Sequence, residues 1–209
     1  MLDVKNLRKS YGNKTILDIQ ELSIPEGIIH LKGINGSGKT TFSKIVAGLI
    51  PFDGELLLHG HLNPQNDKVA YRRMVSYAPS EPLYPDFLSP RDLIGFVGKA
   101  RKASNTGQLQ IAERLGVATY LFDPVGTFSS GMLKRLSLCL AFLGEPKLVI
   151  LDEPFNALDL EAIDILVDLV KEQHKGGVSF MLVSHQDIAQ VGIRIDETFT
   201  VEGQNIRCR

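Results

Sequence analysis

The segment GINGSGKTT, residues 33–41, has the residue types and spacing of a phosphate cradle. It fits G-x-x-x-x-G-K-[ST] and lies directly after a strand-like apolar run and directly before a helix-like one, the context this pattern requires. Gly33, Gly36 and Gly38 let the backbone turn tightly and aim N–H groups at phosphate oxygens, with Asn35, Ser37 and Thr41 completing the loop. The helix start adds its dipole. Lys39 would reach the β- and γ-phosphates, and the Thr40 hydroxyl would ligate Mg²⁺.

A second constellation is LVILDEP, which puts Asp152 and Glu153 at the carboxyl end of an apolar strand, where open α/β sheets bind ligands. Side chains alternate along a strand, so neighbouring acids can take different tasks: Asp152 in a Mg²⁺ shell, Glu153 orienting or deprotonating an attacking water. Two acids after a strand also suit a solvated loop or a helix cap. The phosphate loop upstream favours the chemical role. A third stretch, FSSGMLKRLS (128–137), reads as a serine-capped helix start or as half of a site completed elsewhere, and either serine would cap well.

These groups need elements to hold them. LDVKNL, LDIQELSI, IIHLKG, GELLLHG and MVSYA are strand-like, and the turn PEG (25–27) precedes the third. After the glycine-rich loop, Phe42, Ile45, Val46 and Leu49 are spaced as one helix face. From about residue 86 to 143 the pattern becomes helical. Ser89-Pro90-Arg91-Asp92 is a capped helix start with Leu93, Phe96 and Val97 as its apolar face; a second helix is expected over 106–115 and a third beginning at FSSGMLKRLS, 128–137. KLVIL (147–151) and VSFMLVSH are continuous apolar runs of the kind buried on both faces of a parallel sheet. Between them a helix carries Ile163, Leu166, Val167 and Val170 and stops at Gly176-Gly177; a hairpin around Glu202-Gly203 closes the pattern. The expectation is an α/β phosphate-loop core with a parallel sheet, N-terminal antiparallel strands and a helical insert.

At 209 residues the chain suits one domain, 1–209, with a helical subdomain at about 86–143. The formal net charge of −1 provides no global positive field for nucleic acid or an anionic membrane surface, and GKARK (98–102) reads as a solvated helix end. The two cysteines, Cys139 and Cys208, sit in no CxxC or Cys/His cluster, which fits a reducing cytosol; Cys139 is expected in the core. There is neither a long apolar run nor a signal-peptide core, so any membrane role would go through a partner.

GINGSGKTT, LVILDEP, NALD (156–159) and VSH (183–185), in this order, resemble the ATP-binding cassette (ABC) proteins across essentially the whole chain. FSSGM stands where that family carries its signature, usually LSGGQ: Ser129 keeps the serine and Gly131 the second glycine, while Ser130 and Met132 depart. The resemblance implies that Ser129, Ser130 and Gly131 face ATP held by a second copy. It implies that Tyr11 stacks on adenine, that Asp159 belongs to a loop crossing between copies, and that His185 senses the γ-phosphate. Tyr11 also reads as a strand-edge tyrosine, Asp159 as a helix cap and His185 as structural. The family's glutamine near the metal is replaced by Ser80, followed by Glu81-Pro82. Serine is too short to reach as glutamine does, so the metal contact would run through water or Glu81.

The function implied is an ATP-binding and ATP-hydrolysing subunit, with ATP and Mg²⁺ as cofactors, that powers transport through separate integral membrane subunits by ATP-driven dimerisation. Its second ABC subunit would be identical or different, and no nucleic acid is expected. Leu83, Tyr84 and Phe87 are candidates for docking the membrane partner, or for packing within the insert. The chain would then sit in the cytoplasm, peripheral on the membrane through that partner, and the signature form resembles export-type systems. The alternative is a soluble ABC-type ATPase in nucleic-acid repair or translation; such relatives carry tandem cassettes, coiled-coil insertions or zinc modules absent from this sequence. A small-molecule kinase would share the phosphate loop but would not need FSSGM, NALD or VSH.

Overall fold

The computed structural model describes residues 1–188 and 191–208. In chain order the strands are β1 (Leu2–Tyr11), β2 (Lys14–Ile24), β3 (Ile28–Lys32), β4 (Asp53–Leu58), β5 (Val75–Ala78), β6 (Leu148–Asp152), β7 (Ser179–Ser184), β8 (Glu197–Glu202) and β9 (Asn205–Cys208). The helices are α1 (Lys39–Val46), α2 (Lys68–Met74), α3 (Pro90–Arg101), α4 (Asn105–Arg114), α5 (Ser130–Ala141) and α6 (Leu160–Lys175). Among the described residues no helix is long and apolar enough to cross a membrane.

The strands form two sheets: antiparallel β2-β1-β4, and β5-β6-β7-β3-β8-β9, parallel except for the terminal β8–β9 hairpin. The alternation of strand side chains divides the core. Ile29, Leu31, Leu148, Ile150, Met181 and Val183 pack with α1 and the antiparallel sheet, while Val149, Leu151, Phe180 and Leu182 pack with α5 and α6. Burial on both faces explains why β6 and β7 read as unbroken apolar runs. Cys139 lies in this second cluster, where burial pushes its thiol up to about 12. The chain leaves β3 and β6 at the same end of the sheet, so the 33–41 loop and the 152–153 acids meet there.

α3 starts as its sequence predicts. Ser89 Oγ accepts from Asp92 N–H, and Asp92 accepts from Ser89 N–H, a reciprocal capping box with Pro90 in the first turn. Its apolar face differs from expectation: Leu93 and Ile94 are buried, whereas Phe96 is 76% exposed. A Cβ at Gly98 would collide with the Gln108 side chain, so Gly98 faces α4 and turns Phe96 outward. Likewise α1 ends at Val46 and the chain turns left-handed at Gly48, which leaves Leu49 exposed rather than on the helix face. The short α2, with Tyr71 as its buried residue, shows no legible periodicity. Nor is GKARK simply solvated. Arg101 Nη1 donates to Ser76 Oγ and to the carbonyls of Leu140 (3.3 Å) and Ala141 (3.4 Å), tying α3 to β5 and to the end of α5. Burial pulls its pKa down to about 10.

Candidate functional site

Beyond β3 the backbone turns left-handed at Gly36 (φ 79°) and Gly38 (φ 108°), conformations that glycine adopts without a Cβ penalty. Gly38 is the N-cap of α1 and supplies no capping side chain, so the first N–H groups of the helix remain available to an anion. Gly33 is a close approach as well: a Cβ there would lie 2.6 Å from Ser37 Oγ. Lys39 is buried, and its Nζ donates to Gly33 O (2.7 Å) and Ile34 O (3.0 Å), holding the ammonium inside the loop. Burial lowers its pKa, against the pull of Glu153 and Asp152.

At the end of β6, Asp152 is fully buried. Tyr77 OH donates to its Oδ2 (3.2 Å), while Oδ1 is buried without a hydrogen-bond partner among the described residues. Burial raises the Asp152 pKa, opposed by the Thr40 and Tyr77 hydroxyls. Glu153 takes a left-handed conformation (φ 46°) and its N–H donates to Val183 O (2.8 Å), which swings its side chain toward the end of β7. There Glu153 Oε1 accepts from the His185 N–H (3.0 Å) and lies 2.7 Å from His185 Nδ1. A carboxylate accepts only, so Nδ1 carries the proton. A left-handed non-glycine residue at the end of a buried strand is strained, a cost characteristic of functional sites.

Lys39, Glu153 and His185 line a cleft of about 450 Å³, with Asp152 buried behind Glu153. Asn35, Gly36, Gly38, Thr40 and Thr41 of the phosphate loop line it, together with Asn156, Ser80, Glu81, Tyr11 and Ile16. Tyr11 is half exposed, with Lys9 Nζ 4.9 Å from its ring centroid. Gly33 and Ser37 line an adjoining hollow of about 440 Å³ on the other side of the loop, toward β8.

Ser129, Ser130, Gly131 and Asp159 do not line the cleft. Ser129 is the N-cap of α5, its Oγ accepting from Met132 N–H (3.3 Å), and both serines are exposed. A Cβ at Gly131 would stand 3.0 Å from Ala157 O, so the 156–159 loop packs against the glycine. Asp159 accepts from Arg135 Nη2 through both oxygens (2.7 and 3.0 Å) and from Ala162 N–H (2.8 Å), capping α6. The sequence motifs thus fall into two groups on one chain: a cleft with a phosphate loop and an acid–imidazole pair, and a separate exposed helix start.

A family model described as "ABC transporter" matches residues 17–156. The chain belongs to the ABC transporter family. It is 35% identical over 187 residues to the lantibiotic transport ATP-binding protein SrtF of Streptococcus pyogenes, covering 88% of this chain and 80% of that one. It is 31% identical over 214 residues to the bacitracin transport ATP-binding protein BcrA of Enterococcus faecalis, covering 99% of this chain and 70% of the relative. A solved structure described as the ATP-binding subunit of an ABC transporter superposes with a TM-score of 0.88 at 26% identity, covering 99% of this chain and 88% of that chain. A putative cobalt transport ATP-binding protein shares the fold, with a TM-score of 0.81 at 20% identity. The chain has the ABC ATPase fold and is an ATP-binding subunit of this family, whose membership implies ATP hydrolysis with ATP and Mg²⁺.

The ABC cleft fits that pair of ligands. Open helix-start N–H groups and a buried ammonium suit phosphate, and the unpartnered Asp152 Oδ1 beside the Thr40 hydroxyl suits a hard cation that takes oxygen ligands. Of the two readings of Tyr84, packing within the insert fits. It is partly buried and packs against the second core cluster, and burial raises its hydroxyl to about 12. Leu83 and Phe87 are 93% and 82% exposed. Sequence reasoning missed Tyr77, Lys134, Arg135 and Asn156. Lys134 carried a signal: a lysine one and two helical turns before Leu138 and Ala141 lies on the buried stripe of α5.

Proposed function

We propose that this chain hydrolyses ATP at a site completed by a second ABC subunit, and that the closing and opening of the pair drives separate membrane subunits. The phosphate loop, with Lys39, Gly36 and Gly38, would hold the triphosphate, and Tyr11 would stack on adenine. Thr40 and Asp152 would hold Mg²⁺, which neutralises phosphate charge when bound. Glu153 would take a proton from the attacking water as the water oxygen bonds the γ-phosphorus and the bond to the bridging oxygen of ADP breaks. His185 would hold Glu153 in place and face the γ-phosphate. Ser80 stands in the cleft wall with Glu81 beside it, so a water or Glu81 would replace a longer side chain at the metal.

The observation that carries this reading is the acid–imidazole pair lining one cleft together with the phosphate loop. The exposed Ser129–Gly131 helix start lies outside that cleft and supports engagement with a partner's nucleotide instead. Leu83 and Phe87 are the candidate contacts for the membrane subunits. The test is twofold: steady-state ATP hydrolysis by the purified chain, and co-purification of integral membrane proteins with tagged wild type and with Leu83→Asp/Phe87→Asp. Hydrolysis together with capture lost in the double variant supports the reading. An inactive chain, or capture of the same proteins by both forms, opposes it.

A further inference from the structure

Lys134 is 2% exposed, inside the apolar stripe of α5. Its Nζ donates to two main-chain carbonyls, Asp152 O (2.8 Å) and Pro79 O (3.1 Å). Burying an ammonium is costly unless hydrogen bonds compensate it, and an apolar residue would fill the same space without that cost. The two carbonyls belong to segments that border the cleft: Asp152 ends β6, and Pro79 precedes Ser80. The next residue on α5, Arg135, grips Asp159 through both carboxylate oxygens. One turn earlier, Ala157 O lies so close that a Cβ at Gly131 would stand 3.0 Å from it. The opening turns of α5 therefore hold the 152–159 segment at both ends and in the middle.

We propose that Lys134 is a positioning residue that makes the Ser129–Gly131 end of α5 and the Asp152–Glu153 backbone move as one body. Engagement of the α5 start by a partner's nucleotide then sets the placement of Glu153 in this chain's own cleft, and the Pro79 contact carries the same displacement to the Ser80 loop. The proposal rests on the dimer reading above. It assigns Lys134 no contact with nucleotide, so its loss lowers turnover and leaves ATP affinity alone.

The test compares wild type, Lys134→Met and Lys134→Arg, with three readouts: affinity for a fluorescent ATP analogue, ATP-driven dimer mass in the Glu153→Gln background, and kcat against KM. Methionine keeps the unbranched stem and removes the donors; arginine restores them. The expected result is affinity and dimer mass within twofold of wild type for both variants. In Lys134→Met, kcat falls tenfold or more at unchanged KM, and Lys134→Arg recovers at least a third of the wild-type kcat. A Lys134→Met kcat within twofold of wild type overturns the proposal, and so does a joint loss of ATP affinity and kcat that arginine leaves unrepaired. If Lys134→Met does not fold, Lys134→Gln is compared on the same readouts. An inactive wild-type chain contradicts the hydrolase reading itself, which separates the two failures.

Discussion

Glu153 Oε1 accepts the main-chain N–H of His185 at 3.0 Å and lies 2.7 Å from its Nδ1, so the acid is fixed from two directions. If Glu153 is the base of the proposed hydrolysis, a carboxylate held this way needs no reorganisation when water is delivered between it and a bound phosphate. Glu153→Gln keeps the size and the acceptor oxygen but removes the proton-accepting charge. Its kcat should fall by roughly 10²–10⁴-fold with ATP affinity preserved. Single-turnover hydrolysis beside equilibrium nucleotide binding measures both.

His185→Ala removes one of the two donors that hold the carboxylate. The main-chain N–H stays, so the loss should be smaller than for Glu153→Gln, about 10²-fold in kcat or less. Steady-state kinetics on the two single variants and the double variant should show strong non-additivity, because the pair acts as a unit.

Ser80→Gln should change kcat or the Mg²⁺ concentration giving half-maximal rate, since Ser80 lines the same cleft as Thr40 and Glu153 and glutamine is long enough to reach into it. Nucleotide affinity should stay near that of wild type. Titration of Mg²⁺ at saturating ATP checks this, and an unchanged curve with an unchanged kcat goes against the role given to position 80.

Three exposed carboxylates should each make a small, solvent-screened contribution to acid stability. Hydrogen bonds with Ser89 lower the pKa of Asp92, the Ala162 N–H that of Asp159, and the Arg114 side chain that of Glu172. A carboxylate whose folded pKa is depressed stabilises the fold above its unfolded value and loses that contribution as pH falls toward the folded value. The melting temperature should therefore hold down to about pH 5 and decline below the ordinary values of 3.8 and 4.5. Asp92→Asn and Glu172→Gln should each flatten that decline in thermal scans across pH 3–6.

Much of this was legible in the sequence because the signals are local. The glycine spacing of 33–41 requires a left-handed turn before a helix, and Ser89 with Asp92 forms a capping box within four residues. The unbroken apolar runs of β6 and β7 follow from burial on both faces. The rest depends on neighbours distant in sequence. Phe96 faces outward because Gly98 must approach Gln108; Arg101 turns inward to reach Ser76 and the end of α5; Tyr84 sinks into the insert beside exposed Leu83 and Phe87. Lys134 and Tyr77 reach Asp152 only once β5, β6 and α5 lie side by side. Periodicity reports which face an element presents and not what waits opposite.

If Ser129 completes a partner's nucleotide site, the solution mass of Glu153→Gln must respond to Mg-ATP. The expected result is a monomer without nucleotide, a dimer with Mg-ATP, and a monomer in both conditions once Ser129→Arg is added, with ATP binding intact. A Glu153→Gln chain that binds ATP yet stays monomeric, or a dimer that survives Ser129→Arg, contradicts it and leaves FSSGM a helix cap.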